Sequence, residues 1–131
     1  MIDRYVLDTD AVVDLLRQRH SVAARLAAIS PDDVAVTSMT AAELYYSAEA
    51  SADPASNRAQ VERLLGQLRV LAFGRRAAAL HAELRWKMRS KPIGSSDLVI
   101  AATTLAAGAT LVTANTREYA RVTELPIQNW R

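Results

Sequence analysis

The sequence contains no cysteine. That absence excludes disulfides, thiol catalysis and every zinc site built on cysteine. Long hydrophobic runs are missing too. Nothing approaches the roughly 18 uninterrupted apolar residues that span a bilayer, and one of the longest candidates, Leu98 to Ala102, stops at Thr103. The opening stretch MIDRYVLDTD turns acidic early and has no apolar signal core, so it does not read as a signal peptide. The expected setting is the cytoplasm, with no membrane partner. Histidine is scarce. His20 is expected in a short loop and His81 on the apolar stripe of a helix as a packed core residue, and neither has the spacing of a metal site or of an acid–base pair. Repeats and low-complexity linkers are absent. A strong net charge is absent as well, and +2 is too small to argue for nucleic acid by itself.

What is present is a chain of 131 residues, half of them hydrophobic and fewer than a quarter charged. That suffices for one domain with a real core, residues 1–131, and is too little for two. Short β-branched runs at Tyr5 to Leu7, Val34 to Val36, Val70 to Phe73 and Thr110 to Val112 predict buried strands, with a weaker one at Ile127 to Gln128. Helical stretches lie between them. Val12 to Leu16 follows Asp10 as N-cap, and Val22 to Ile29 stops before Pro31. Ala41 to Ala50 forms a third helix, and Val61, Leu64, Leu65 and Leu68 mark a fourth. Ala77, Leu80, His81, Leu84 and Met88 repeat with helical spacing. Leu98 to Ala107 ends at Gly108, a C′-like position. Strands separated by helices predict βα units, and so a parallel sheet covered on both faces. The expectation is one α/β domain with a mostly helical excursion over about residues 39–91.

In open parallel sheets, ligands bind outside the carboxyl ends of the strands. Asp8, Thr9 and Asp10 follow the first strand. Thr37, Ser38 and Thr40 follow the second, with Glu43 a turn further on. Thr113, Asn115, Thr116 and Glu118 follow the fourth, and Asp97 stands after Ser95-Ser96 where the sixth helix opens. If the strands are parallel, Asp8, Glu43, Asp97 and the Asn115/Glu118 region converge at one rim. Clustered carboxylates resist joint ionisation unless something positive lies among them, and no lysine is near any of them in sequence. The natural counter-charge is a divalent cation. Mg²⁺ takes one or two carboxylates, keeps several waters and accepts phosphate oxygens, and Mn²⁺ suits the same ligands. Such a site hydrolyses phosphodiesters. Each residue also has a plain local reading. Asp8 fits a helix start or Asx turn, and Glu43 closes a capping box begun by Thr40. Asp97 fits a first helical turn, Asn115 a turn, and Glu118 a solvated helix face. Recurrence after consecutive strands favours the joint reading.

Three segments then carry a resemblance: YVLDTDAVVDLL, VTSMTAAELYYSA and IGSSDLVIAATTLAAGATLVTANTREYARV. From end to end the chain resembles the PIN-domain ribonucleases, and among them the VapC-type toxins of bacterial toxin–antitoxin pairs. The resemblance implies a three-layer α/β/α sandwich with a short central parallel sheet. It implies an endoribonuclease dependent on Mg²⁺ or Mn²⁺, with Asp8, Glu43 and Asp97 at the three core acidic positions that hold the ion. At the fourth, Asn115 stands where many relatives carry Asp, and Glu118 where others carry Asp or Glu. An amide can ligate or position water but adds no charge, so Glu118 is the candidate for the missing carboxylate. Thr9 and Thr113 are implied as hydrogen-bonding support. Glu124 stands where relatives often have Gly, in a surface turn. The implied chemistry is in-line hydrolysis of an RNA phosphodiester, leaving 5′-phosphate and 3′-hydroxyl ends. The implied partners are an RNA, a small antitoxin and a second copy in a homodimer.

Basic charge is concentrated elsewhere. Of sixteen Lys plus Arg only Lys87 and Lys91 are lysines. Arginine's planar fork matches phosphate, although a genome rich in G and C gives the same bias. Arg75, Arg76, Arg85, Lys87, Arg89 and Lys91 crowd the fifth helix and its exit. They form either a solvated face or a track for an RNA backbone. Trp86 lies off that helix's apolar stripe, open to base stacking, an interface or burial. Leu15, Leu16, Leu44, Tyr45 and Tyr46 are either core or antitoxin contacts. Three readings compete with the metal-dependent endoribonuclease. Asp8-Thr9-Asp10 also fits the opening of a haloacid dehalogenase-like phosphatase, but Lys87 and Lys91 are poorly placed for the lysine that chemistry needs. A non-catalytic RNA- or partner-binding module would keep the acids for folding alone. A DNA- or structure-specific nuclease would turn the same fold to another substrate.

Overall fold

The β-branched and aliphatic runs form strands, and their order places β1 at the centre. The computed structural model describes residues 4–131, with His20 by its backbone alone. The strands are β1 (Tyr5–Leu7), β2 (Val34–Thr37), β3 (Arg69–Leu71), β4 (Thr110–Val112) and β5 (Ile127–Gln128). They pair in the order β3-β2-β1-β4-β5, every pair parallel. The helices are α1 (Thr9–Leu16), α2 (His20–Ala27), α3 (Ser38–Glu49), α4 (Pro54–Leu65), α5 (Arg75–Lys87), α6 (Ser95–Ala106) and α7 (Thr116–Tyr119).

Period-two alternation along the strands sorts their side chains onto two faces. Val6 and Leu111 join a core with Leu84, Ile93, Leu98, Ile100, Tyr119 and Val122. Leu7, Val34, Val36 and Val112 join the opposite core with Val12, Val22, Leu44, Val61 and Trp130. Apolar layers on both faces make the expected α/β/α sandwich. The chain leaves β1 toward β2 on one side and returns to β4 on the other. Strand order therefore reverses at β1, the kind of switch point where a crevice opens beyond the carboxyl ends of the strands. Among the described residues no helix is long and apolar enough to cross a membrane.

Several boundaries differ from expectation for local reasons. The third strand is Arg69–Leu71, not Val70 to Phe73, and it is not buried. It is an edge strand with β2 on one side only, so Val70 stays exposed, and Phe73 lies beyond it, edge-on to His81 at 5.5 Å. His81 is accordingly half-buried beside Phe73 rather than packed within either core. His20 opens α2 instead of lying in a loop. That helix ends at Ala27, before Ile29, and Ser30 then caps a single 3₁₀ turn at Pro31–Asp33. The fourth helix starts earlier and ends earlier than its leucines suggest, because Asp53 caps it and Pro54 opens it. α6 does end as expected, with Gly108 at φ 67°, where any Cβ would be strained.

Candidate active site

The first acid is placed by the end of β1. Asp8 is the N-cap of α1, a role the sequence assigned to Asp10. Its Oδ1 accepts the Thr9 N–H at 2.9 Å, and its Oδ2 accepts the Thr113 hydroxyl at 2.8 Å from the end of β4. The carboxylate is only 5% exposed. Burial pushes its pKa up to about 6 against the Thr113 hydrogen bond, with the charges of Asp10 and Asp97 adding to the rise.

The second acid depends on how α3 begins. Thr37 at the end of β2 is the N-cap, and its Oγ1 accepts the Thr40 N–H at 3.1 Å. The capping box Thr40-Ala41-Ala42-Glu43 is therefore not formed, and Glu43 lies a turn deeper with its carboxylate free for other work. Thr9 Oγ1 donates to Glu43 Oε1 at 2.6 Å and lies 3.1 Å from Thr40 Oγ1. One hydroxyl thus ties the start of α1 to the side of α3.

Asp97 comes from the first turn of α6. Its Oδ1 accepts the Tyr119 hydroxyl at 3.0 Å, and the same hydroxyl lies 3.3 Å from Asp8 Oδ1. Tyr119, fully buried at the end of α7, therefore spans the two carboxylates. Burial is the main cause of a raised Asp97 pKa, and the charges of Glu118, Glu43 and Asp10 raise it further. Burial, with Asp8 and Asp97 alongside, holds the Tyr119 hydroxyl firmly protonated.

Asp10 also turns inward. Its Oδ2 accepts the Ala114 N–H at 3.1 Å, while its Oδ1 is buried with no hydrogen-bond partner. Asn115 reaches the same cleft, and its amide makes no cap hydrogen bond to α7. Glu118 does not line the cleft. It accepts the Gly94 N–H at 3.1 Å, holding the entry to α6. Asp97 lies close against the same glycine, since a Cβ on Gly94 would meet its Oδ2 at 3.3 Å.

The cleft is open, with a volume of about 400 Å³. Asp8, Thr9, Asp10, Glu43, Asp97 and Asn115 form one part of its lining, and Asp14, Arg17, Arg19 and Arg131 form another. Asp14 is buried and paired: Arg131 donates to it from Nε at 2.7 Å and Nη2 at 3.0 Å, and Arg19 Nε lies 3.4 Å away. The Arg131 hydrogen bonds hold the Asp14 pKa below the usual carboxylate value. Among the described residues, no ion pair reaches Asp8, Asp10, Glu43 or Asp97.

Donor chemistry fits a hard divalent cation. Among the described residues no ion pair reaches Asp8, Asp10, Glu43 or Asp97, the pKa values of Asp8 and Asp97 are raised, and one Asp10 oxygen is orphaned. Among the described residues no three His, Cys, Asp or Glu side chains form a ready-made ligand cluster. An ion held here would keep much of its water, the ordinary habit of Mg²⁺.

Sequence reading brought Asp8, Thr9, Glu43, Asp97, Asn115 and Thr113 to one place, as the geometry has it. It missed the cleft roles of Asp10, Asp14, Arg17, Arg19, Arg131 and Tyr119. Asp10 and Asp14 carry a usable signal, since residues four apart share a helix face. Arg131 carries none, being 117 residues from Asp14. The cations of the fifth helix and its exit are all exposed, and none lines the cleft. Lys87 pairs with Glu124 at 2.8 Å, and the Arg89 guanidinium lies 3.8 Å from the centre of the Trp86 ring. Trp86 is 67% exposed. Leu44 is core, Leu15, Leu16 and Tyr45 are half-buried, and Tyr46 faces solvent.

Comparison with known proteins agrees with the geometry. The sequence profile of the PIN domain matches residues 5–125. The chain is 34% identical over 129 residues to ribonuclease VapC2 of Haemophilus influenzae, covering 97% of this chain and 98% of that protein. It is 29% identical over 129 residues, with the same coverage of 97% and 98%, to the tRNA(fMet)-specific endonuclease VapC of Salmonella typhimurium. Among solved structures, VapBC2 from Rickettsia felis, bound to a promoter DNA fragment, superposes with a TM-score of 0.90 at 30% identity over 97% of this chain and 98% of that one.

Proposed function

The chain belongs to the PIN domain family, whose VapC members are its full-length relatives, and from that premise we propose that it is a metal-dependent endoribonuclease, the toxin of a toxin–antitoxin pair. One observation carries the reading. Asp8, Glu43 and Asp97 leave three different elements and meet in one cleft, and among the described residues no ion pair reaches any of them, although Arg17, Arg19 and Arg131 line the same cleft. A fold gains nothing by gathering unpaired carboxylates, and their repulsion is the stored demand for a divalent ion.

Asp8 and Asp97 would hold Mg²⁺ or Mn²⁺ directly, with Glu43 and Asn115 reaching it through water. Such an ion supplies charge neutralisation at the phosphate and a more acidic attacking water. The chain's own groups do the positioning. Thr113 and the Thr9 N–H fix the Asp8 rotamer, and Thr9 Oγ1 fixes Glu43. Glu43, oriented by that hydrogen bond, is the group to orient or accept a proton from the attacking water. The Asn115 amide adds no charge, and Asp10 is the fourth carboxylate of the cleft outside any ion pair, Asp14 being held by Arg131 and Arg19. Glu118 keeps Gly94 and so the first turn of α6 in register, presenting Asp97.

The partners follow the same reading: an RNA substrate, a cognate antitoxin and a second copy of the chain in a homodimer. The likeness to VapBC2 supports the antitoxin. The exposed cations Arg75, Arg76, Arg85, Lys87, Arg89 and Lys91 serve as a distal path for the RNA backbone, outside the cleft. A reaction on RNA places the work in the cytoplasm.

The test is cleavage of a tRNA pool and a ribosomal RNA fragment by purified chain with Mg²⁺, Mn²⁺ or EDTA, beside Asp97→Asn. Cleavage is expected with the ions only and to vanish in the variant. Cutting that survives EDTA or the substitution overturns the mechanism. Cutting of single-stranded or flap DNA in preference to RNA overturns the substrate.

A further inference from the structure

Arg17, Arg19 and Arg131 share a cleft with the acids. Salt bridges to those acids would be the simplest reason for their presence, yet among the described residues none forms. Arg131 and Arg19 pair with Asp14 instead, and Arg17 has no ion-pair partner among the described residues.

The backbone explains why these side chains are here. α1 ends at Leu16, the Arg17 N–H returns to the Val13 carbonyl at 2.9 Å, and the Arg19 N–H returns to the Asp14 carbonyl at 2.8 Å. The turn requires Gln18 at φ 57°, the left-handed region that a side chain with a Cβ resists. Gln18 is the only non-glycine residue with positive φ among those described. Strain of this kind persists where the surroundings over-determine it, and it collects at functional sites. Its consequence here is that the residues on both sides of Gln18 line the cleft.

The lining thus carries both charges. Its unpaired acids suit a divalent ion, and its guanidinium groups offer planar donor forks that match phosphate oxygens two at a time. Asp14 keeps Arg131 and Arg19 ordered in advance, so less freedom is lost when a ligand binds. We propose that Arg17 and Arg19, together with Arg131, form a subsite for the phosphate adjoining the one that is cut, so that these arginines set how the RNA backbone lies across the acids. This rests on the ribonuclease reading and extends it to residues outside the acid set.

The experiment uses the full chain, Arg17→Ala, Arg19→Ala, the double variant, and Arg63→Ala on exposed α4 as control. A fluorescein-labelled single-stranded RNA is titrated in EDTA across a salt series, and cleavage kinetics are run with Mn²⁺. Losing the contact that neutralises a phosphate lowers the slope of log affinity against log salt by about 0.7 on a single strand. The double variant is expected to lose about 0.7 of slope, for the one phosphate the pair holds, and to raise KM about tenfold or more, with kcat changed far less. Mn²⁺ affinity, read by electron paramagnetic resonance, is expected to stay at the wild-type value. Arg63→Ala is expected to match wild type in slope and KM. Equal slopes for wild type and double variant overturn the subsite, as does a fall in Mn²⁺ affinity that accounts for the lost activity. If wild type cuts no RNA, the ribonuclease reading falls alone, and the EDTA binding slopes still decide the subsite.

Discussion

Asp8 and Asp14 are the same residue type, lie at the two ends of one helix, and are 5% and 2% exposed. Their carboxyl groups are nonetheless pushed in opposite directions. Asp8 is raised to about 6 by burial, and its hydrogen-bond donors, Thr113, Thr9 and Tyr119, are all neutral. Asp14 is lowered by the Arg131 hydrogen bonds, which outweigh its own burial. A buried charge is tolerated when paired and hydrogen-bonded. Asp14 meets that condition within the chain. Asp8 meets half of it, with donors but no counter-charge. The contrast separates a carboxylate paired within the fold from one left without a counter-charge, the one proposed above to serve the reaction.

The contrast breaks most sharply on activity. Asp97→Asn keeps an acceptor for Tyr119 and removes one charge from the cleft. RNA cleavage is expected to fall on the order of 100-fold or more, by analogy with loss of one preorganised electrostatic group, while the urea midpoint stays level or rises. A large loss of stability would instead make Asp97 a structural residue.

Metal addition comes next. Mn²⁺ at about 100 times its Kd should stabilise the wild-type chain by about 2.7 kcal/mol, measured as a shift of the urea midpoint. Asp97→Asn should respond far less. An equal shift in both proteins would place the ion elsewhere.

Asp14→Asn should act through the fold. It replaces a buried partner of Arg131, and charge-assisted hydrogen bonds are stronger than neutral ones. The urea midpoint is expected to drop at pH 7 by a correspondingly large step. An unchanged midpoint would mean that the Arg131 contact does not hold the fold.

The smallest effect is in pH. Because the folded Asp14 pKa lies below its ordinary 3.8, its contribution is complete above that value. It is lost as pH falls through the folded pKa. The midpoint gap between wild type and Asp14→Asn should therefore be constant from neutral pH to about 5 and close below 3.8. A gap that persists in strong acid would point to packing rather than charge.

Much of this was legible in the chain. Short β-branched runs bounded by helical periodicity dictate parallel βα units, because a strand covered on both faces must be apolar throughout. Parallel strands in turn carry whatever follows their carboxyl ends to one rim, which is why Asp8, Thr9, Glu43, Asp97 and Thr113 could be grouped from sequence. Those are consequences of local spacing and one topological rule. Other features depended on distance through space. Whether Thr37 or Thr40 caps α3 decides if Glu43 closes a cap or enters the cleft, and only the turn after β2 settles it. Which cations meet which acids is decided by packing as well. The dense basic stretch Arg75 to Lys91 stays outside the cleft, while Arg131 closes on Asp14 across 117 residues. Sequence by itself determined the parallel βα units and the acids after their strands, because those follow from periodicity and from where parallel strands end. Tertiary structure alone decided which buried carboxylate has its counter-charge, because Coulomb energy falls with distance in space and is indifferent to separation along the chain.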